Sequence, residues 1–174
     1  STASCTSVTG GQAKCSNYTL TNTTKDYEIV ADSSVVIPTA ETTCKSVTYN
    51  GTEQTLATVP SGAVYRLSGN TGTDAKEYTV TAVLTDKANY TWTDGTTTDK
   101  TFKCSISPKS VPVVWGTETE FTYNGNAQAP EASVNTGIDN ETMVVTRTTN
   151  VNVGEYTSTA SCTSVTGGQA KCSN

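Results

Sequence analysis

The sequence contains no histidine. That removes the side chain most often used as a general base and as a metal ligand near neutral pH. Aromatic residues make up only 7 % of the chain, with two tryptophans and two phenylalanines. Five prolines are too few for a mucin-like stalk, whose composition is proline-rich. Charged residues amount to 16 %, which is not the charge-dense composition of a disordered chain. No apolar run approaches the roughly 18 residues of a membrane helix, so no membrane span is expected. The net charge is −5 and the pI about 4.6. With no basic stripe there is no electrostatic footprint for nucleic acid, and no nucleic-acid partner is expected. No signal peptide, sorting signal or lipidation motif is read in these residues, so such signals are expected elsewhere in the parent gene.

What is abundant is threonine, about a fifth of the 174 residues. Its β-branched side chain suits the solvent face of a strand. Alternation of apolar and polar residues marks strands at 78–84, 111–115 and 143–146. Turn pairs recur at short intervals: Asn50-Gly51, Ser61-Gly62, Ser68-Gly69, Asp94-Gly95, Asn124-Gly125 and Val153-Gly154. No window carries a helical period. The expected fold is all-β, built as tandem small β-sandwich-like or β-grasp-like modules in an elongated array.

Six cysteines stand at Cys5, Cys15, Cys44, Cys104, Cys162 and Cys172. Six allow fifteen pairings. Cys5 and Cys15 sit nearly symmetrically about Gly10-Gly11, and Cys162 and Cys172 bracket the same segment around Gly167-Gly168. Each reads as a hairpin closed by its own bridge, which leaves Cys44 for Cys104. There is no C-x-x-C pair and no histidine, so neither a metal site nor an activated thiol is expected, and no cofactor is implied. Disulfides place the chain in an oxidising compartment; the expected localisation is extracellular, cell-surface or secreted.

The strongest feature is a repeat. Residues 1–17 and residues 158–174 both read STASCTSVTGGQAKCSN. Seventeen identical positions imply a tandem array with a period of 157 residues (158 − 1). A weaker duplication lies inside the period. VTYNGTEQ (47–54) answers FTYNGNAQ (121–128), AKEYTVTA (75–82) answers VGEYTSTA (153–160), and NYTW (89–92) answers NYTL (17–20). DGTTTDK (94–100) resembles TNTTKD (21–26). Two related modules are therefore expected. One spans 32–107. The other spans 108–174, and its last strands are equivalent to 18–31, so residues 1–31 read as the C-terminal strands of such a second module.

Taken together, Y-N-G-x-x-Q, E-Y-T-x-T-A and N-Y-T-W-x-D-G-T-T resemble the mostly-β glycine-rich repeats, and allied Ig-like repeats, of large Gram-positive surface proteins. The resemblance covers essentially the whole chain. It implies a structural repeat of a stalk, adhesin or filament, and it brings no catalytic residues. The six cysteines are a departure from those repeats. Further copies of the sequence, in a tandem array or filament, are the expected partners. Head-to-tail strand complementation is one way such copies could join. The alternative is an adhesin module that binds host or cell-wall glycans, or protein.

Several residues invite a site. Trp115, Trp92 and Tyr90 could stack on a sugar, although a module core also needs such an anchor, and core is the favoured place for both tryptophans. The Tyr49-Asn50-Gly51 and Tyr123-Asn124-Gly125 loops could hold a ligand, but tight turns with the tyrosine packed beneath explain them better. Glu118, Glu120 and Glu131 form no marked carboxylate pair. Asp86, Asp94, Asp99 and Asp139 lack the spacing of a calcium loop. Lys76 and Lys100 are the candidates for an isopeptide cross-link. Asn17, Asn22, Asn50, Asn89 and Asn140 begin N-x-S/T sequons and are candidate glycosylation sites. No catalytic residue is expected, and the chain is read as a non-enzyme.

Overall fold

A computed structural model describes residues 2–9, 14–167 and 171–172. The Gly10-Gly11 and Gly168 turn positions lie outside the described residues. The rest is nearly all β. The strands run β1 Asp32–Val35, β2 Val47–Thr48, β3 Gln54–Thr55, β4 Tyr65–Ser68, β5 Thr71–Gly72, β6 Glu77–Leu84, β7 Tyr90–Trp92, β8 Lys100–Ser107, β9 Val113–Trp115, β10 Ala132–Val134, β11 Thr142–Arg147 and β12 Ala160–Thr166. One four-residue helix, α1 Ala40–Thr43, and a 3-10 turn at Cys15–Asn17 are the helical pieces among the described residues.

Alternation builds the central strands. Val80, Ala82 and Leu84 of β6 are buried, as are Phe102, Cys104 and Ile106 of β8. Successive side chains point to opposite faces of a strand, so each strand presents one apolar row, while Thr101, Lys103 and Ser105 meet water. The two strands pair antiparallel from Glu77 opposite Ser105 to Ala82 opposite Lys100. β4 covers the other edge of β6, with Tyr65 opposite Leu84, and β2 lies parallel to β8. The sheet order is β2-β8-β6-β4. Two further pairs, β1 with β7 (parallel) and β3 with β5 (antiparallel), complete this half.

Among the described residues, the buried hydrophobic side chains all lie within 35–106. Trp92 is their centre. It is fully buried, its Nε1 donates to the Thr98 carbonyl at 2.8 Å, and its ring lies 5.6 Å from that of Tyr65. The loop that accepts this bond begins at the Asp94-Gly95 turn. Gly95 adopts φ +76° and its N–H donates to the Trp92 carbonyl at 2.8 Å. Only glycine takes that left-handed conformation without a Cβ penalty.

Residues 108–172 are built more sparsely. β9 pairs with β10, and β11 with β12, both antiparallel. No third strand hydrogen-bonds to either pair among the described residues. β10 also lies beside β11, so the two ribbons pack on one another without sharing a ladder. Two expectations are corrected here. Trp115, favoured as a core anchor, is 38 % exposed on β9, and Tyr123 stands out in solvent, whereas its counterpart Tyr49 is buried. The sequence signal is the same in both halves; what differs is the second layer that would cover these rings.

The halves touch through specific bonds. Tyr49 Oη donates to Glu141 Oε1 at 2.5 Å, Lys171 pairs with Asp74, and Ile138 packs on the core cluster. Three disulfides, Cys5–Cys15, Cys44–Cys104 and Cys162–Cys172, join the pairs read from the spacing, with Cα atoms 5.6–5.8 Å apart. The long one fastens the end of α1 to β8. Residues 18–31 form no strand; their one ladder contact is an isolated bridge from Thr24 to Thr2.

Candidate functional site

The residues singled out for chemistry have mostly structural partners. Trp92 offers no ring face to a sugar, because it is fully buried. Tyr90 is half-buried and lines an open groove of about 540 Å³ together with Tyr65, Val36, Pro38 and Pro60. Trp115 stands apart from that groove on β9, opposite Ala132 of β10. The structure therefore does not gather the three aromatics into one platform.

Several of the acidic residues are likewise engaged, while Glu118, Glu120 and Asp139 are exposed. Asp86 accepts from the Ala88 and Asn89 N–H groups, and Asp99 pairs with Lys87 at 2.8 Å. Lys76 lies 5.1 Å from the Tyr78 ring centre. Lys100 donates to Asp94 Oδ2 at 2.5 Å, while Thr96 N–H donates to Asp94 Oδ1 at 3.0 Å. The lysine bond, backed by the two Thr96 donors, holds the Asp94 carboxyl down to about 2. A depressed carboxylate stabilises the fold above its ordinary pKa and loses that contribution as pH falls through the depressed value. Asp94→Asn keeps an acceptor for Thr96 but discards the charge. Its urea midpoint is expected to lie below that of the parent at pH 6, and the gap is expected to close as pH falls through about 2. A gap of constant size across that window would refute the pairing as a source of stability.

All five sequon asparagines are exposed. Asn22 and Asn140 adopt positive φ, +53° and +63°, and Asn89 is bonded through Nδ2 to Asp86 at 2.7 Å.

The Y-N-G-x-x-Q motif folds the same way twice. Asn50 Oδ1 accepts from the Thr52 N–H at 3.0 Å, and Asn124 Oδ1 from the Asn126 N–H at 2.9 Å. Gly51 and Gly125 have φ +80° and +78°. Gln54 Nε2 donates to the Thr48 carbonyl, and Gln128 Nε2 to the Thr122 carbonyl, each at 3.0 Å. Gln54 bridges Gly72, and Gln128 bridges Asn150. The motif is an Asx turn locked by a glutamine, a device of folding.

The two halves differ at a sheet edge. β6 has β8 on one edge and β4 on the other. β12, its counterpart by the E-Y-T-x-T-A match, has β11 on one edge and no strand on the other among the described residues. Glu77-Tyr78 open β6, and Tyr78 Oη is bonded to Thr73 N–H and the Asp74 carbonyl. Glu155-Tyr156 lie before β12 in chain that belongs to no strand, with Tyr156 exposed. By order along the repeat, the segment that corresponds to β8 is the one that follows TNTTKD near the N-terminus. Setting Lys25 on Lys100 puts Tyr27, Ile29 and Ala31 where Phe102, Cys104 and Ile106 are buried. Here Tyr27 is 70 % exposed and Ile29 85 %, and Tyr18 and Leu20, which match Tyr90 and Trp92, are exposed as well.

The repeated segment shows the same contrast. Residues 160–166 are strand β12; the identical residues 3–9 form none. The candidate functional surface is thus a pair of features: β12 with the chain at 155–159 that leads into it, where no second partner strand is found among the described residues, and the apolar side chains Tyr18, Leu20, Tyr27, Ile29 and Val30, which stand in solvent. The first was legible only through the repeat, and no residue-level motif marks it. No family model matches the chain, and neither the curated proteins nor the solved structures provide a match.

Proposed function

We propose that this chain is a structural repeat unit of an extracellular surface stalk, adhesin or filament, with copies joined head to tail. The observation that carries the reading is the seventeen-residue identity at a spacing of 157, combined with its two conformations. A segment that is a paired strand in one copy and strandless in the other belongs to a surface whose partner lies in the neighbouring repeat. Three disulfides suit an oxidising exterior, where they resist unfolding and proteolysis. The likeness to mostly-β glycine-rich surface repeats points the same way, and the role is non-catalytic.

The test is geometric. Chains carrying one, two and four periods are expected to show a maximum dimension, by small-angle X-ray scattering, that grows in proportion to period number. Collapse to a compact particle, with the dimension rising only as the cube root of mass, would overturn the reading.

A second reading has one observation in its favour. Trp115 leaves an indole at the surface of β9, as a glycan-binding or protein-binding adhesin module would need. Glycan-array binding that is abolished by Trp115→Ala would move the assignment to that class.

A further inference from the structure

We infer that residues 155–160, the chain that leads into β12, are paired antiparallel by residues 25–32 of a second copy of this sequence, which extends the β12 side of the ribbon. The inference rests on reading the chain as a repeat unit, and it names the partner of the surface described above.

Order in the repeat identifies the occupant. In the first half the chain passes from β6 through residues 85–89 to β7 and then to β8, which returns to pair with β6. In the second half β12 runs into the segment 163–174, whose sequence is the same as that of 6–17. Directly after 6–17 come Tyr18-Thr19-Leu20, the counterpart of β7, and then 25–32, the counterpart of β8. The strand that belongs on the edge of β12 is therefore the 25–32 segment of the next copy. Within its own copy that segment is committed at both ends. Thr24 bridges Thr2, and the Asp32 N–H donates to the Asn89 carbonyl at 2.8 Å where β1 joins β7.

The register is that of β6 with β8. Ala82 opposite Lys100 becomes Ala160 opposite Lys25, Val80 opposite Phe102 becomes Ser158 opposite Tyr27, and Tyr78 opposite Cys104 becomes Tyr156 opposite Ile29. In this register Tyr27, Ile29 and Ala31 share one face of the incoming strand. Tyr27, one hydroxyl larger than Phe102, comes to lie over Ser158, which is smaller than Val80, so bulk on one strand meets space on the other. Residues 155–159 gain the ladder that their counterparts 77–81 already have, and unpaired backbone donors along that edge are satisfied. Two apolar surfaces that each stand in water become one interface.

The experiment uses the 174-residue chain and a synthetic peptide of residues 17–33. Light scattering over a concentration series is expected to report oligomers that grow with concentration and that excess peptide breaks down to peptide-capped single chains. Amide exchange at residues 155–160 is expected to slow at least about tenfold in both the oligomer and the capped chain. A peptide carrying Tyr27→Lys and Ile29→Lys is expected to do neither. Single chains at every concentration, with 155–160 exchanging freely in the presence of the parent peptide, would overturn the inference. If that result came with linear growth of multi-period chains, the repeat-unit reading would stand and only this pairing would fall.

Discussion

Trp92→Ala is expected to lower the free energy of unfolding by about 3–5 kcal/mol, the usual range for emptying a buried tryptophan site. Three things place the effect at the upper end. The indole is fully buried, it contacts Tyr65 across the core, and its Nε1 holds the Thr98 carbonyl of the loop that carries the Asp94–Lys100 pair. Alanine leaves a cavity, an unpartnered carbonyl and a loop without its anchor. A domain of this size is stable by about 5–15 kcal/mol, so most of the margin of the first half would go. Trp115→Ala is the control, and it is expected to cost well under 1 kcal/mol because its ring is already partly in water. Urea titration followed by fluorescence reads both variants cleanly. The protein has two tryptophans, so each variant leaves one reporter: blue-shifted emission from Trp92, red-shifted emission from Trp115. Equal losses in the two variants would contradict the placement of the core.

The second large effect concerns the bridges. Removing Cys44–Cys104 by double alanine substitution is expected to cost about 4 kcal/mol, because a sequence separation of 60 leaves a long loop open in the unfolded chain. The other two bridges each close a separation of 10, in identical sequence, for which the same arithmetic gives roughly 3 kcal/mol. Their expected effects nevertheless differ. Cys162 sits in β12, hydrogen-bonded to β11, so losing its bridge loosens a strand pair. Cys5 lies in chain without a strand. A cross-link that orders nothing cooperative adds little to the global transition, so the Cys5–Cys15 variant is expected to unfold within about 0.5 kcal/mol of the parent. Urea midpoints ranked Cys44–Cys104 first, Cys162–Cys172 second and Cys5–Cys15 last would match; equal midpoints for the two identical bridges would not.

Much of the first half was legible in the sequence. The alternation at 78–84 produced β6, N-Y-T-W ahead of an Asp-Gly turn produced the buried indole, and the cysteine spacing produced all three bridges. These signals are local, or come from elimination. The parallel pairings of β1 with β7 and β2 with β8 were not legible, because nothing in a short strand names a partner nearly sixty residues away. Nor were the exposed rings of Trp115 and Tyr123, because what packs over a ring is not encoded in the segment that carries it. Residues 3–9 and 160–166 state the limit most sharply. The letters are identical, and only the copy that lies beside β11 becomes a strand. Strand preference is largely the availability of neighbours, and neighbours are not written in the segment itself.

The long bridge has a mechanical meaning as well. If a unit is pulled from its two ends, the chain between Cys44 and Cys104 cannot lengthen while the sulfur–sulfur bond holds. A separation of 60 residues, at about 3.3–3.6 Å for each when drawn straight, withholds roughly 200 Å of slack. A tether made of such units would meet a sudden tug by yielding its loosely held segments first and stopping short, with the load carried past the tryptophan-centred core by a covalent bypass.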